Sequence, residues 1–191
     1  MRLFAAFVSV FLLIVFPAHA QNSFTAYGST VKFTSPDPAK WELTRNEMDE
    51  KSKKYLVMFE HHPIQDAEGR AIRPVIAIIA ESVPDSLDVI QFSIRLRGHT
   101  PFQVNKMVSQ QDGSLTHKNS VGYEAEYERG VLHKILIGHL RHGAVGVQVI
   151  CDSTDGVYDK VEADMRNFLR SVTLREPEDA GTGQKPAVDK R

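Results

Sequence analysis

The sequence predicts an α+β fold, a three-layer α/β/α sandwich in which a mostly antiparallel sheet lies between two main helices. Residues 73–82 and 131–141 are apolar at both sets of alternating positions, so a strand at either place needs cover on both faces. Neighbouring strand candidates are joined by short turns, which indicates antiparallel pairing. With two long amphipathic segments available, one helix on each face is the most economical arrangement.

The other strands follow from apolar alternation bounded by turn residues. Residues 120–128 alternate between apolar positions and the acidic side chains of Glu124, Glu126 and Glu128. A strand with one wet face suits an edge position, where its carboxylates discourage aggregation, and paired acid–base catalysis is the weaker interpretation. Further strands are predicted at residues 23–33 around a turn at Gly28-Ser29, at 41–48, at 54–62 and at 145–151.

Two helices are predicted. The first opens at Val83-Pro84-Asp85-Ser86, ends at Gly98, and has its buried stripe at Val83, Leu87, Ile90 and Ile94. The second follows residues 152–156, and Asp152, Asp155 and Asp159 are interpreted as helix-capping residues rather than a calcium loop. Its apolar positions form one stripe that consists of Val157, Val161, Met165, Phe168, Leu169 and Val172.

The chain divides into three parts. Residues 1–20 have a charged start at Arg2, an apolar run and a cleavage site at Ala18-His19-Ala20, which together predict a signal peptide. Residues 21–175 are predicted to form one globular domain, and residues 176–191 a disordered tail. We therefore expect a periplasmic or secreted protein with no membrane span after signal cleavage.

Composition and motifs exclude several classes of function. The chain of 191 residues is 42% hydrophobic and 25% charged, which excludes wholesale disorder. Its formal net charge is −1, and no clustered basic surface is evident, so a nucleic-acid partner is excluded. No nucleophile elbow, phosphate loop or zinc-protease motif is present, so we expect a protein that is not an enzyme and needs no cofactor.

Three segments resemble the PsbP-like superfamily, which includes a nuclear Ran-binding release factor and small exported bacterial proteins. They are Gly28-Ser29-Thr30-Val31-Lys32-Phe33 with Pro36 and Trp41-Glu42-Leu43, then Gly122-Tyr123-Glu124-Ala125-Glu126-Tyr127, and finally Phe168-Leu169-Arg170-Ser171-Val172-Thr173-Leu174. The resemblance implies an antiparallel sheet between helical layers and non-enzymatic accessory work. It carries over neither a partner nor a functional residue, because members of the family bind different partners.

The histidines are the candidate metal ligands. His139 and His142 lie near a turn at Gly143, and His61 or His62 completes a possible zinc or copper site. The alternative is that they are ordinary strand residues, since no pair has a strict metal-ligand spacing. The single cysteine, Cys151, is interpreted as a small buried strand residue, with a thiol nucleophile as the alternative.

Arg95, Arg97 and Phe102 form the candidate partner-binding patch at the end of the first helix. The two arginines either complement the helix dipole or meet an acidic partner. The expected function is a non-catalytic exported accessory protein that binds an unidentified protein or envelope component. The alternatives are a periplasmic metal- or small-ligand-binding module that uses the strand histidines, and a hydrolase that uses Cys151.

Overall fold

The computed structural model describes residues 21–98 and 102–175. The predicted signal peptide and C-terminal tail lie outside the described residues, and the domain boundaries stay predictions. The strands are β1 (Gln21–Ala26), β2 (Ser29–Thr34), β3 (Trp41–Asp49), β4 (Lys54–His61), β5 (Ile64–Gln65), β6 (Ala71–Ile72), β7 (Val75–Ser82), β8 (Gln103–Val108), β9 (Ser120–Arg129), β10 (Val131–His142), β11 (Val145–Thr154) and β12 (Thr173–Arg175). The helices are α1 (Val89–Arg97) and α2 (Asp155–Ser171).

A seven-stranded sheet dominates the molecule, with the order β3-β4-β7-β11-β10-β9-β8 and antiparallel pairing throughout. A smaller antiparallel sheet has the order β1-β2-β12, and β5 pairs with β6. The α+β fold class is therefore confirmed, as is the mostly antiparallel sheet with two helices. Within the described residues, no helix is long and apolar enough to cross a membrane.

The pairing of β10 places it between β9 and β11, where its alternating residues supply two separate cores. Leu136 and Leu140 face α2 and belong to the larger core cluster. Ile135 and Ile137 face the opposite side and belong to a second cluster. His139 has the same parity as Ile137 and lies beneath α1, where it contacts Phe92. Both faces of β10 are thus covered, as its apolar pattern predicts.

The stripe predicted for α2 is buried over its whole length. Phe168 of this helix packs against Phe33 of β2 and Phe59 of β4, with both ring centroids 5.7 Å from its own. The β1–β2 hairpin turns through Tyr27 and Gly28, both of which have positive φ angles, as a tight hairpin turn requires. The smaller sheet and α2 therefore cover the same face of the large sheet.

The prediction for α1 is wrong in its start and its buried face. The helix begins at Val89, and Asp88 caps it in a capping box with Gln91. Ile90 and Ile94, predicted to be buried, are 51% and 62% exposed. The buried side chains of α1 are instead those of Val89, Phe92 and Ser93.

Gly146 of β11 has no side chain, and the Phe92 ring occupies the space above it. A Cβ atom added at Gly146 would lie 2.6 Å from the Phe92 ring. Phe92 is fully buried against this position, so the register of the helix is set by the space that Gly146 leaves. Helical spacing identified Ile90 and Ile94 of α1 but not Val89 and Phe92, which face the sheet.

The edge position predicted for β9 is also wrong, because β8 pairs with β9 and forms the edge. Three of the six residues of β8 are polar, and the register shifts between Val104 and Lys106, so no clear alternation marks the segment as a strand. Glu124 does not simply face water: its carboxylate binds Lys106 of β8 and Arg166 of α2. These ion pairs hold the pKa of Glu124 below its usual value, although partial burial acts in the opposite direction.

Replacement of Gly122 by Ala tests the close packing of β9 against its neighbours. The new Cβ atom would lie 2.4 Å from the backbone oxygen of Ile137, so we expect the free energy of unfolding to fall by about 2–3 kcal/mol. Urea unfolding followed by circular dichroism measures this. Gly130→Ala is the control, because that Cβ meets nothing within 4 Å and only its positive φ opposes the change, at about 1 kcal/mol. Equal losses for the two variants would contradict the packing.

Candidate functional site

The three predicted metal ligands do not converge. His139 and His142 are three residues apart on β10, so their side chains leave opposite faces of the sheet. His61 lies on β4, which β7 and β11 separate from β10 by about 14 Å. Its ring packs edge-on against Trp41. Among residues 21–98 and 102–175, no group of three His, Cys, Asp or Glu side chains is placed to hold a metal ion.

His139 is instead a core residue, with no exposed surface. Its Nδ1 lies 2.9 Å from the Ser93 hydroxyl, and the Gln148 amide lies 3.2 Å from its Nε2. The amide donates to Nε2, so Nδ1 carries the proton and the ring is neutral. Burial lowers the pKa of His139 to about 4, and the nearby Arg97 contributes. Both nitrogens are occupied, which leaves His139 no lone pair to offer a metal ion.

Cys151 is likewise enclosed. The side chain has no exposed surface, and burial raises the pKa of its thiol well above the ordinary value, with a smaller contribution from Asp152. Its sulfur lies 3.8 Å from the Met165 carbonyl oxygen on the α2 side of the sheet. His139 lies on the other side, so the two residues cannot form a nucleophile–base pair.

A polar cluster that sequence reasoning missed lies where the sheet extends beyond α1. The Asp152 carboxylate accepts a hydrogen bond from the Tyr127 hydroxyl at 2.6 Å and lies 2.8 Å from Nδ1 of His133. The rings of Tyr127 and His133 are stacked, with centroids 4.6 Å apart. Partial burial, followed by the neighbouring Asp152, raises the pKa of Tyr127. The cross-strand pairing of Tyr127 with His133 could have indicated this cluster, but the pairing is known only once the register of β9 and β10 is known.

The candidate partner patch is divided by the structure. Arg95 points to β7, where its guanidinium lies 2.6 Å from the Glu81 carboxylate. Arg97 lies over the ring of Tyr123, 5.0 Å from its centroid. Phe102 packs beside the second core cluster. Arg97 and Phe102 line one shallow pocket of about 270 Å³ with Ile94, so the structure brings these two together and separates Arg95 from them.

This pocket belongs to a larger apolar surface. Ile90, Ile94 and Arg97 are four and three residues apart and therefore share one flank of α1. Met107 of β8 pairs with Tyr123, the residue beneath Arg97, and is 56% exposed. We call the surface formed by these residues the α1 patch: Ile90, Ile94, Arg97, Phe102 and Met107. It holds three of the six large apolar side chains that are exposed among the described residues.

No protein-family model matches the chain, and no curated protein matches it. Among solved structures, it is similar to LpqN of Mycobacterium tuberculosis, described as involved in cell envelope biogenesis, at 13% identity and a TM-score of 0.51. The match covers 83% of this chain and 91% of LpqN. This chain shares the fold of LpqN. A Bacteroides thetaiotaomicron protein matches at 9% identity and a TM-score of 0.45, over 83% of this chain and 49% of its own.

His139 is expected to make the protein sensitive to mild acid. Its folded pKa of about 4 lies below the ordinary 6.5, so its contribution is complete above pH 6.5 and is lost as the pH falls toward 4. Between pH 7 and pH 4.5 this loss amounts to about 2 kcal/mol. Urea unfolding at both pH values measures it.

His139→Gln removes the titrating group, and this variant should lose about 2 kcal/mol less than the natural chain over the same pH interval. Burial also lowers the pKa of His117, and this contributes an acid-dependent loss of stability in both proteins. The difference between the variant and the natural chain therefore isolates the contribution of His139. His62→Gln, which removes an exposed histidine distant from His139, is the matched control and should keep the full dependence. An unchanged dependence in His139→Gln would show that the imidazole is not held neutral.

Cys151 is expected to resist alkylation in the folded protein. Its burial and raised pKa leave neither access nor thiolate, so iodoacetamide at neutral pH should label only the urea-unfolded chain, as measured by intact mass. Labelling of the folded chain at the rate of the unfolded chain would restore the thiol-nucleophile hypothesis.

Proposed function

We propose that this protein is a non-catalytic accessory protein outside the cytoplasm that binds a protein component of the cell envelope through the α1 patch. The observation that carries the proposal is the exposure of Ile90 and Ile94, 51% and 62%, on a helix that has a separate buried face. Apolar side chains that cluster on a surface are typical of a binding site. One face of α1 therefore packs in the core, and another face is available for contact with a partner.

The charge of the α1 patch favours an acidic partner. Arg97 lies within the apolar surface, and Arg95 borders it on the same helix. Arg95 is already paired with Glu81, whereas Arg97 contacts the π face of Tyr123. A guanidinium held over an aromatic ring keeps its hydrogen-bond donors at the ring's edge for a carboxylate. The expected partner surface is thus apolar with at least one carboxylate opposite Arg97.

The expected location and the family resemblance support this proposal. The signal-like sequence of residues 1–20 favours export, and LpqN, which has the same fold, is described as involved in envelope biogenesis. The resemblance to the PsbP-like superfamily agrees with accessory work, and we propose membership of it on the three quoted segments. The non-catalytic part of the proposal draws on His139 and Cys151, which are enclosed by their neighbours instead of facing a substrate cleft.

Site-specific photocrosslinking in the cells that produce the protein tests the proposal. A benzophenone amino acid replaces Ile90 in one variant and Leu43 in the other, since these side chains are equally exposed, at 51% and 50%. Leu43 lies on β3, at the opposite edge of the sheet from β8. We expect a protein adduct about fivefold more abundant from position 90 than from position 43.

Adding Arg97→Glu to the Ile90 variant should reduce that adduct about tenfold, because like charges across an interface oppose association. Arg170→Glu, on the exposed side of α2, is the control and should leave it unchanged. Adducts of equal abundance from positions 90 and 43, or an adduct insensitive to Arg97→Glu, would contradict docking through the α1 patch.

A further inference from the structure

A second site lies on the other side of the large sheet, between α2 and the segment that joins β2 to β3. Its pocket of about 300 Å³ is lined by Thr34, Ser35, Pro36, Asp37, Asp164, Asn167, Phe168 and Ser171. The four residues from α2 are spaced three, one and three apart, so one stripe of the helix forms a wall. The volume is at the small end of the range for ligand sites and admits a single ring.

The two walls of this pocket are joined by hydrogen bonds at both ends. At one end the Thr34 backbone N–H donates to the Ser171 hydroxyl at 2.9 Å. At the other end the Trp41 indole N–H donates to the Asp164 carboxylate at 3.3 Å. The Ser171 hydroxyl donates in turn to the Phe168 carbonyl at 2.7 Å. The pocket is therefore formed in advance, which lowers the cost of ordering it around a ligand.

Polar groups between these ends are left for a ligand. Asn167 is exposed in the middle of the α2 wall, and among the described residues its side-chain amide makes no hydrogen bond, so it is open to a ligand. Asp37 faces it from the other wall and accepts a hydrogen bond from the Ala39 N–H at one carboxylate oxygen. Pro36 and Phe168 are both buried and close the apolar floor of the pocket beside these groups. The pocket thus pairs an apolar surface with an amide and a carboxylate.

The charges of the pocket select among polar ligands. Two carboxylates, those of Asp37 and Asp164, line it, and Lys40 binds the second at 3.3 Å. One negative charge therefore remains without a cation among these three residues. A ligand with a carboxylate or phosphate is disfavoured there, and a protonated amine is favoured.

We propose that this pocket binds a single sugar ring that carries a free amino group. The ring lies over the floor that the buried Pro36 and Phe168 close, its hydroxyls bond to the Asn167 amide, and its ammonium group pairs with Asp37. This site is independent of the proposed function, because it lies across the sheet from the α1 patch. Either result can therefore fail without the other.

Titration of ¹⁵N-labelled protein with glucosamine tests the site, at about pH 6.5, where the amine is protonated. We expect the amide signals of residues around Asn167 to shift, with a Kd of about 1–10 mM. Glucose lacks the charge and N-acetylglucosamine has lost it, so each should bind about fivefold more weakly. Ethanolamine has the amine but no ring, and it should cause no saturable shift.

Two variants locate the binding. Asp37→Asn keeps an acceptor for the Ala39 N–H and removes the charge, and Asn167→Ala removes the amide, so each should weaken glucosamine about fivefold. Asp159→Asn, on a different side of α2, is the control and should bind as the natural chain does. Absence of a saturable shift, equal binding of glucose, or unchanged binding in Asp37→Asn or Asn167→Ala would overturn the proposal.

Discussion

The burial of β10 on both faces is the constraint on which the rest of the molecule depends. Leu136 and Leu140 need cover on one side, and Ile137 and His139 need it on the other. Because side chains alternate along a strand, no single layer can satisfy both sets. One helix therefore lies on each side, and the sheet separates the α1 patch from the pocket beside α2.

The two layers differ in size, and the smaller layer leaves part of the large sheet and the flanks of α1 exposed. The seventeen residues of α2 and the smaller sheet together cover one face, whereas the nine residues of α1 cover only part of the other. Beyond α1, the same face carries half-buried side chains such as Met58 and Ile79, with the His133–Asp152 pair toward one end. A short helix on a wide sheet thus exposes its own flanks as well as part of the sheet.

The sequence predicts those elements whose buried residues recur at a regular spacing. β7, β10 and α2 were recognisable because their core residues repeat at the strand or helix period over eight residues or more. β8 is short, half polar and interrupted by a register shift, so it leaves no such pattern. His139 resembled a metal ligand because its partners, Ser93 and Gln148, come from other elements, and only the tertiary structure brings them to it.

The exposure of the α1 patch follows from the polar contacts inside the second core. A rotation of α1 by one residue, about 100°, would turn Ile90 and Ile94 toward the sheet. It would also remove Ser93 from His139 and Phe92 from Gly146, and an unsatisfied buried imidazole costs about 1–3 kcal/mol. The hydrogen bond to His139 therefore holds the helix in the orientation that leaves its apolar flank in solvent. The core of this protein therefore determines which apolar side chains of α1 are exposed.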